Sequence, residues 1–261
     1  MAPSADGFEV VCEIEPATGP DLMRVRHQIG VMSRVASAFL IPDNHIGRAT
    51  VSSIAVAHEV ALMGGRAIAC LNARDRNVLG FRRDLLTAAA YGVDEFLFVY
   101  GDRPESGARS DDLTVRSMIA EARSFEAVTG SQRLRLGATS RLQPLPQWKR
   151  DADFLFVQVG FSIDRLLEWR ASLDFAGPVL AGVLVVPSAS MARKLSADIP
   201  ELAVPQPIID RVEKDRHAGV QVAAELVAAI RESGAFDGVH LVSGVRYREM
   251  AAILEKTRNR G

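Results

Sequence analysis

The sequence has few cysteines, no surplus of either charge and no long hydrophobic run. Its only cysteines are Cys12 and Cys70, which give neither a disulfide framework nor the repeated spacing of a zinc site. Its 31 basic residues face 32 acidic ones, so no basic excess is available to neutralise nucleic-acid phosphates. No apolar run approaches the ~18–20 residues that cross a bilayer. We therefore expect no nucleic-acid partner and no membrane span.

Several catalytic motifs are also absent. The sequence contains no GxSxG, HExxH or P-loop pattern, and no GxGxxG follows the first predicted strand. No lysine stands at the end of a predicted strand, which argues against a Schiff-base aldolase. The opening MAPSADGFEV lacks the basic start and apolar stretch of a signal peptide, so we expect a cytoplasmic protein.

What the sequence does contain is a regular alternation of short β-rich runs and amphipathic segments. This pattern predicts eight strands, at residues 8–14, 35–41, 66–71, 95–100, 133–139, 154–159, 178–186 and 239–243. Helices are predicted between them, including one long helical region over residues 208–232. Such alternation fits either a closed β/α barrel or an open doubly wound sheet. The count of eight and the length favour a single α/β domain over residues 1–261, a (β/α)8 TIM-type barrel.

Polar residues collect where the predicted strands end, which is where such barrels place their chemistry. In the first strand, alternation puts Glu9, Val11 and Glu13 on one face. The opposite face is wholly apolar, as a face covered by helices should be, and it carries Phe8, Val10, Cys12 and Ile14. Glu13 is then predicted to lie at the barrel mouth and Glu9 near its floor. A carboxyl group partly removed from water there can act as a general acid; a salt-bridged strand-end glutamate is the alternative.

Two further residues attract attention within or after apolar strands. Asp102 follows a turn glycine in FLFVYGD, where it either orients a polar ligand or caps a turn. Gln158 lies in FLFVQVGF, and a buried amide there would bond a ligand or the neighbouring backbone. The run of Asp43, Asn44 and His45 has no second set of ligands at metal spacing, so we expect no metal. The whole ring of strand-end residues suits a neutral or nitrogen-rich ligand.

Six segments, in order, resemble the methylenetetrahydrofolate reductase family: VVCEIEP, LIPDNHIGRATVSSIAVA, CLNARDRN, FVYGDRP, FVQVGFSIDRLLEW and GVLVVPSASMARKL. The resemblance implies a β/α barrel that reduces 5,10-methylenetetrahydrofolate to 5-methyltetrahydrofolate with NADH or NADPH. It assigns the general acid to Glu13, and it places Asp102 and Gln158 on the pterin. Further substrate- or cofactor-binding positions that it implies are Asp43, Asn44, Asn72, Tyr100, Gly101, Thr139 and Arg246.

The chain also departs from the family pattern. Ile14 and Glu15 replace two aromatics after the family's glutamate, Cys70 replaces a histidine, and Tyr100 replaces an arginine. The family's flavin enzymes carry a longer basic segment between strands five and six, where only residues 140–153 are available here. The resemblance therefore implies a flavin-independent branch, without FAD and with direct hydride transfer.

Three alternatives stay open at this point. They are an FAD-dependent reductase of the same substrate, a catalytically silent folate- or partner-binding barrel, and a phosphate-binding isomerase. The sequence leaves the oligomeric state open. It also leaves open the choice between NADH and NADPH, for which Arg141 and Arg246 are the candidate contacts to a 2′-phosphate.

Overall fold

Eight parallel strands close into a barrel in chain order within residues 7–130 and 133–258, the part of the chain that the computed structural model describes. The strands are β1 (Glu9–Glu13), β2 (Ala38–Ile41), β3 (Ala67–Asn72), β4 (Glu95–Val99), β5 (Arg135–Ser140), β6 (Phe154–Val159), β7 (Val179–Leu184) and β8 (Gly238–Val242). Because β1 pairs with both β2 and β8, the sheet has no open edge. The predicted α/β barrel is confirmed, and the open doubly wound sheet is wrong.

Helices follow the strands along the chain. Those in the described residues are α1 (Met23–Met32), α2 (Ser53–Leu62), α3 (Val78–Ala90), α4 (Val115–Thr129), α5 (Ile163–Ala171), α6 (Ala189–Asp198), α7 (Gln206–Lys214), α8 (Ala218–Ser233) and α9 (Tyr247–Arg258). None of these is long and apolar enough to cross a bilayer. Their ends follow local sequence signals: Thr114 and Ser117 form a capping box at the start of α4, and Gly130 ends it at φ +62°.

The helical region predicted over residues 208–232 is confirmed, and the chain divides it into α7 and α8 at residues 215–217. Asp215 takes an extended conformation, and its carboxylate Oδ1 accepts a hydrogen bond from the backbone N–H of His217 at 2.8 Å. The side chain thus replaces helical hydrogen bonding at this point. The break turns α7 against α6 and α8 against β7 and β8.

Two apolar layers surround the strands. The outer layer lies between strands and helices and includes Cys12 and Phe39, whereas the inner layer fills the barrel and includes Val11, Leu40 and Phe156. Val11 and Cys12 therefore face opposite ways, as the alternation in β1 predicts. Burial raises the pKa of the Cys12 thiol to about 12, which fits a small residue of the outer layer.

Ion pairs close the floor of the barrel at the amino ends of the strands. Arg66 contacts Glu9 at 2.7 Å and Glu95 at 3.4 Å, and Arg135 contacts Glu95 at 3.1 Å. Burial raises the pKa of Glu95, and the two arginines oppose this effect. Glu9 is thus a structural residue of the floor, and the open end of the barrel lies at the opposite ends of the strands.

Candidate active site

A cavity of about 540 Å³ opens at the carboxyl ends of the strands. Seven of the ten predicted site residues line it: Glu13, Asp43, Tyr100, Gly101, Asp102, Thr139 and Gln158. Apolar side chains of the inner layer, among them Leu40, Leu97 and Phe156, form its base. The cavity therefore combines an apolar base with polar groups on several strands, as small-molecule sites commonly do.

Glu13 stands in this cavity beside a histidine. Its Oε2 lies 3.0 Å from Nε2 of His240, and the two side chains are only 19% and 12% exposed. Main-chain bonding fixes the strand end, because the Gln28 side chain donates to the Glu13 carbonyl and accepts from the backbone N–H of Glu15. Glu13 is thus a carboxyl group largely removed from water with one imidazole partner.

Sequence reasoning missed His240. The segment GVHLV places it between Val239 and Leu241, both of which face outward, so alternation alone points His240 into the barrel. The signal that could have identified it is a polar residue on the face of a strand that points into the barrel. The ring of His240 packs against Phe156, with centroids 5.0 Å apart.

Asp102 is held at the mouth by the loop after β2. Its Oδ2 accepts a hydrogen bond from the backbone N–H of Ile46 at 2.9 Å. Ile46 has φ +54°, a conformation that β-branched residues avoid, and the neighbouring Gly47 carbonyl accepts from the N–H of Glu105 at 2.8 Å. Gly101, at φ +82°, makes the turn that brings Asp102 over the cavity. The loops after β2 and β4 are therefore bonded to each other around Asp102.

A buried charge cluster supports the same side of the cavity. Arg76 contacts three carboxylates, those of Asp43, Asp75 and Asp84. Burial raises the pKa of Asp43 to about 6 even though Arg76 lowers it, and the nearby carboxylates of Asp75 and Asp84 raise it further. Asp43 thus lines the cavity as a carboxyl group that holds its proton at higher pH than an exposed aspartate.

Three predicted site residues do not line the cavity. Asn72 is buried and donates to Asp43 and Asp75, and the Asn44 side chain donates to Asp75, so both hold the loops together. Arg246 pairs with Glu249 at 2.7 Å. Their contacts to a ligand stay predictions.

Gln158 lies in the cavity wall, but the expectation that its amide is buried is wrong. The residue is exposed, and its Oε1 accepts a hydrogen bond from the N–H of Val159 at 3.1 Å. The register of β6 on β7 shifts between Phe156 and Val159, and a Cβ at Gly182 would lie 2.5 Å from the Val157 carbonyl oxygen. Glycine in β7 thus accommodates an irregularity that turns Gln158 towards the mouth.

A second cavity, of about 410 Å³, adjoins the first. The two share Arg141, Gln143 and Gln158, and the second is completed by Arg165 at the start of α5 and by Glu201. Arg141 and Glu201 form an exposed ion pair at 3.6 Å. Gln158 therefore stands between an acidic cavity and one that carries two arginines.

The short segment between β5 and β6 uses its cations locally. Lys149 donates from Nζ to the Thr139 carbonyl at 2.6 Å, and Arg150 pairs with Asp174 at 2.9 Å. Burial lowers the pKa of Lys149. No set of three or more His, Cys, Asp or Glu side chains within the described residues is arranged to hold a metal ion.

The fold and the cavity together define an α/β barrel with a carboxyl-rich site at the carboxyl ends of its strands. A model of the methylenetetrahydrofolate reductase family matches residues 147–258, from the turn before β6 to α9. The resemblance predicted from the sequence motifs is therefore confirmed. No curated protein sequence matches the chain.

Solved structures agree on the architecture. A protein from Clostridium thermocellum, described as binding two copies of 5-methyl-5,6,7,8-tetrahydrofolic acid, is similar with a TM-score of 0.64 and 12% identity, over 97% of this chain and 96% of that one. A GH18 chitinase from Cycas revoluta is similar with a TM-score of 0.55 and 12% identity, over 97% of this chain and 99% of that one. Tryptophan synthase from M. tuberculosis is similar with a TM-score of 0.51 and 14% identity, over 97% of this chain and 94% of that one. At these identities the likeness shows the barrel fold alone.

Proposed function

We propose that the chain reduces 5,10-methylenetetrahydrofolate to 5-methyltetrahydrofolate with NADH or NADPH as hydride donor. The observation that carries this proposal is the joint position of Glu13, Asp102 and Gln158 on one cavity. Gln158 also lies within the residues that the family model matches. A pterin offers ring nitrogens and an amino group to carboxylate and amide acceptors, and the apolar base of the cavity suits its flat ring.

The chemistry needs an acid next to the departing nitrogen. Opening the five-membered ring requires a proton on N10 and leaves an iminium carbon on N5, which then accepts a hydride. Glu13 is the group that supplies this proton, because its carboxyl lies within the cavity and largely out of water. Asp102 orients the pterin and stabilises the developing positive charge, and its bond from Ile46 holds it in place beforehand.

We further propose that the hydride passes directly from nicotinamide to folate, without FAD. Of the three cations in the segment between β5 and β6, Lys149 donates to the Thr139 carbonyl, Arg150 pairs with Asp174, and Arg141 lies where the two cavities meet. With Lys149 and Arg150 bonded locally, the segment does not fit a diphosphate cradle. The role of the barrel is then to hold the nicotinamide C4 against the iminium carbon at reacting distance.

The second cavity suits the remainder of a folate. A folate carries an aromatic amide and a glutamate tail beyond its pterin, and the tail ends in carboxylates. Arg165 and Arg141 offer cations beyond Gln158, within reach of a ligand that extends from the first cavity into the second. This arrangement supports a tailed folate rather than a free pterin as substrate.

Binding without turnover is the second candidate function. It is favoured by the likeness to the Clostridium thermocellum protein, which is described as binding two copies of 5-methyl-5,6,7,8-tetrahydrofolic acid. The same cavity residues would then serve recognition only, with Glu13 as an acceptor for the ligand.

One experiment separates these possibilities. The visible absorption spectrum of freshly purified protein is recorded, and NADH and then NADPH oxidation is followed with methylenetetrahydrofolate in the same cuvette. Substrate-dependent oxidation without a flavin band supports the proposed reaction. A stoichiometric flavin band refutes direct transfer, and folate binding without oxidation by either nucleotide makes the chain a binding protein.

A further inference from the structure

The pairing of Glu13 with His240 joins the first strand of the barrel to the last. Val11 lies opposite His240 in the β1–β8 register, so Glu13, two residues further on, projects into the barrel on the same side. The Oε2 to Nε2 distance is 3.0 Å, and Phe156, which is 2% exposed, packs against the imidazole ring. The geometry is thus fixed by barrel closure and by packing.

The proposed reaction takes up one proton per turnover, and that proton must be present at neutral pH. An ordinary glutamate loses its proton near pH 4, whereas an ordinary imidazole does so near pH 6.5. An imidazolium in hydrogen-bond contact with a carboxylate can hand its proton to that carboxylate, which then acts as the acid. The geometry of the pair therefore gives Glu13 a source of protons inside the cavity.

We propose that His240 is the proton store of this site and the positioning residue for Glu13, an inference that rests on the proposed function. The imidazolium N–H passes its proton to the Glu13 carboxylate. Glu13 passes it to N10 as the C–N10 bond breaks and its electron pair stays on nitrogen. The nicotinamide hydride completes the methyl group, and the neutral imidazole recovers a proton from water at the open mouth.

Other ionisable groups face the pair across the same cavity. Two are acids on neighbouring loops, Asp43 and Asp102, and two are cations on the β5–β6 side, Arg141 and Lys149. The other three are Cys70, His45 and Tyr100. Burial raises the pKa of the Cys70 thiol, so Cys70 does not exchange protons near neutral pH. Among the cavity groups, His240 is the one in hydrogen-bond contact with Glu13.

The test replaces the imidazole with a group that keeps the hydrogen bond but cannot transfer a proton. His240→Gln puts an amide N–H near Nε2, so Glu13 stays oriented. We expect kcat near pH 7.5 to fall by about 10- to 100-fold with KM within about threefold of wild type. The pH profile of kcat is recorded for both enzymes, and we expect the alkaline decline of kcat to begin at lower pH in His240→Gln.

The matched control is His217→Gln. His217 also pairs with a glutamate, Glu249, at 2.9 Å, but this pair is exposed and lies outside the cavity. The same chemical change there should leave kcat and its pH profile as in wild type. His240→Ala with added imidazole is the second variant, and we expect the free imidazole to restore part of its kcat.

The outcomes separate the inference from the function beneath it. If wild type turns over and His240→Gln keeps both its kcat and its pH profile, His240 serves only as a hydrogen-bond donor and the proton store is refuted. A His240→Ala variant that binds folate but gains nothing from imidazole refutes the proton store as well. If wild type itself does not oxidise NADH or NADPH with methylenetetrahydrofolate, the proposed reaction is refuted, and the inference that rests on it is refuted as well.

Discussion

Replacing Glu13 by glutamine removes the proton that the proposed reaction needs and little else. The amide oxygen can still accept a hydrogen bond from His240, and the side chain keeps its size. General acid catalysis by a placed side chain contributes about 10²- to 10⁴-fold to a rate. We therefore expect kcat to fall by that factor, which raises the activation barrier by about 2.7–5.4 kcal/mol.

The same change should barely affect folding. Glu13 and His240 are 19% and 12% exposed, and one hydrogen bond survives, so the free energy of unfolding should change by about 1 kcal/mol or less. For a chain of 261 residues the unfolding entropy is about 0.5 kcal/mol per kelvin, which makes the shift in Tm about 2 °C. A loss of activity beyond tenfold therefore cannot come from loss of folded protein.

The assay is nicotinamide oxidation under saturating methylenetetrahydrofolate, with folate affinity and Tm measured on the same preparation. Glu15→Gln is the matched control, because Glu15 stands two residues further along and pairs with Arg24 outside the cavity. A Glu13→Gln variant that binds folate and keeps kcat within about threefold of wild type would remove Glu13 from the mechanism.

Three other predictions follow from the site. Gln158→Leu should raise KM for the folate by up to about tenfold with unchanged Tm, since it removes one exposed amide from the cavity wall; an unchanged KM would place the ligand elsewhere. Gly101→Ala should lower the free energy of unfolding by about 1–3 kcal/mol in urea, because φ is +82° and the new Cβ would lie 2.7 Å from that of Asn72. Burial raises the pKa of Asp43 to about 6, so its contribution to stability is present below about pH 4 and is lost as the pH rises through 6. The stability of wild type relative to Asp43→Asn should then fall by about 2 kcal/mol from pH 4 to pH 7, and parallel curves would contradict this.

Local patterns predicted most of the fold. Alternation of period two identified the inward face of β1, and the succession of short β-rich runs and amphipathic segments identified eight strands. The break between α7 and α8 was not predictable in this way, because the apolar spacing continues through it and neither proline nor glycine stands between Lys214 and Ala218. Packing of the two helices on different neighbours decides that position.

The candidate site was predicted less completely, for a related reason. Gln158 was expected to be buried because β6 reads as a regular strand, and only the irregular pairing with β7 around Gly182 turns it outward. Asn44 and Asn72 stand at strand ends like the cavity residues, yet hydrogen bonds within the loops hold them to Asp75.

The sequence by itself determined the barrel, the residues that face its interior and the strand ends where polar groups gather, since each follows from short-range periodicity and local turn signals. Only the tertiary structure decided which of those groups meet. Glu13 and His240 lie 227 residues apart and touch because β1 and β8 close the sheet, and Asp102 finds the backbone of Ile46 because the loops after β2 and β4 fold against each other. No local pattern encodes such contacts, because they depend on where the whole chain places the ends of its strands.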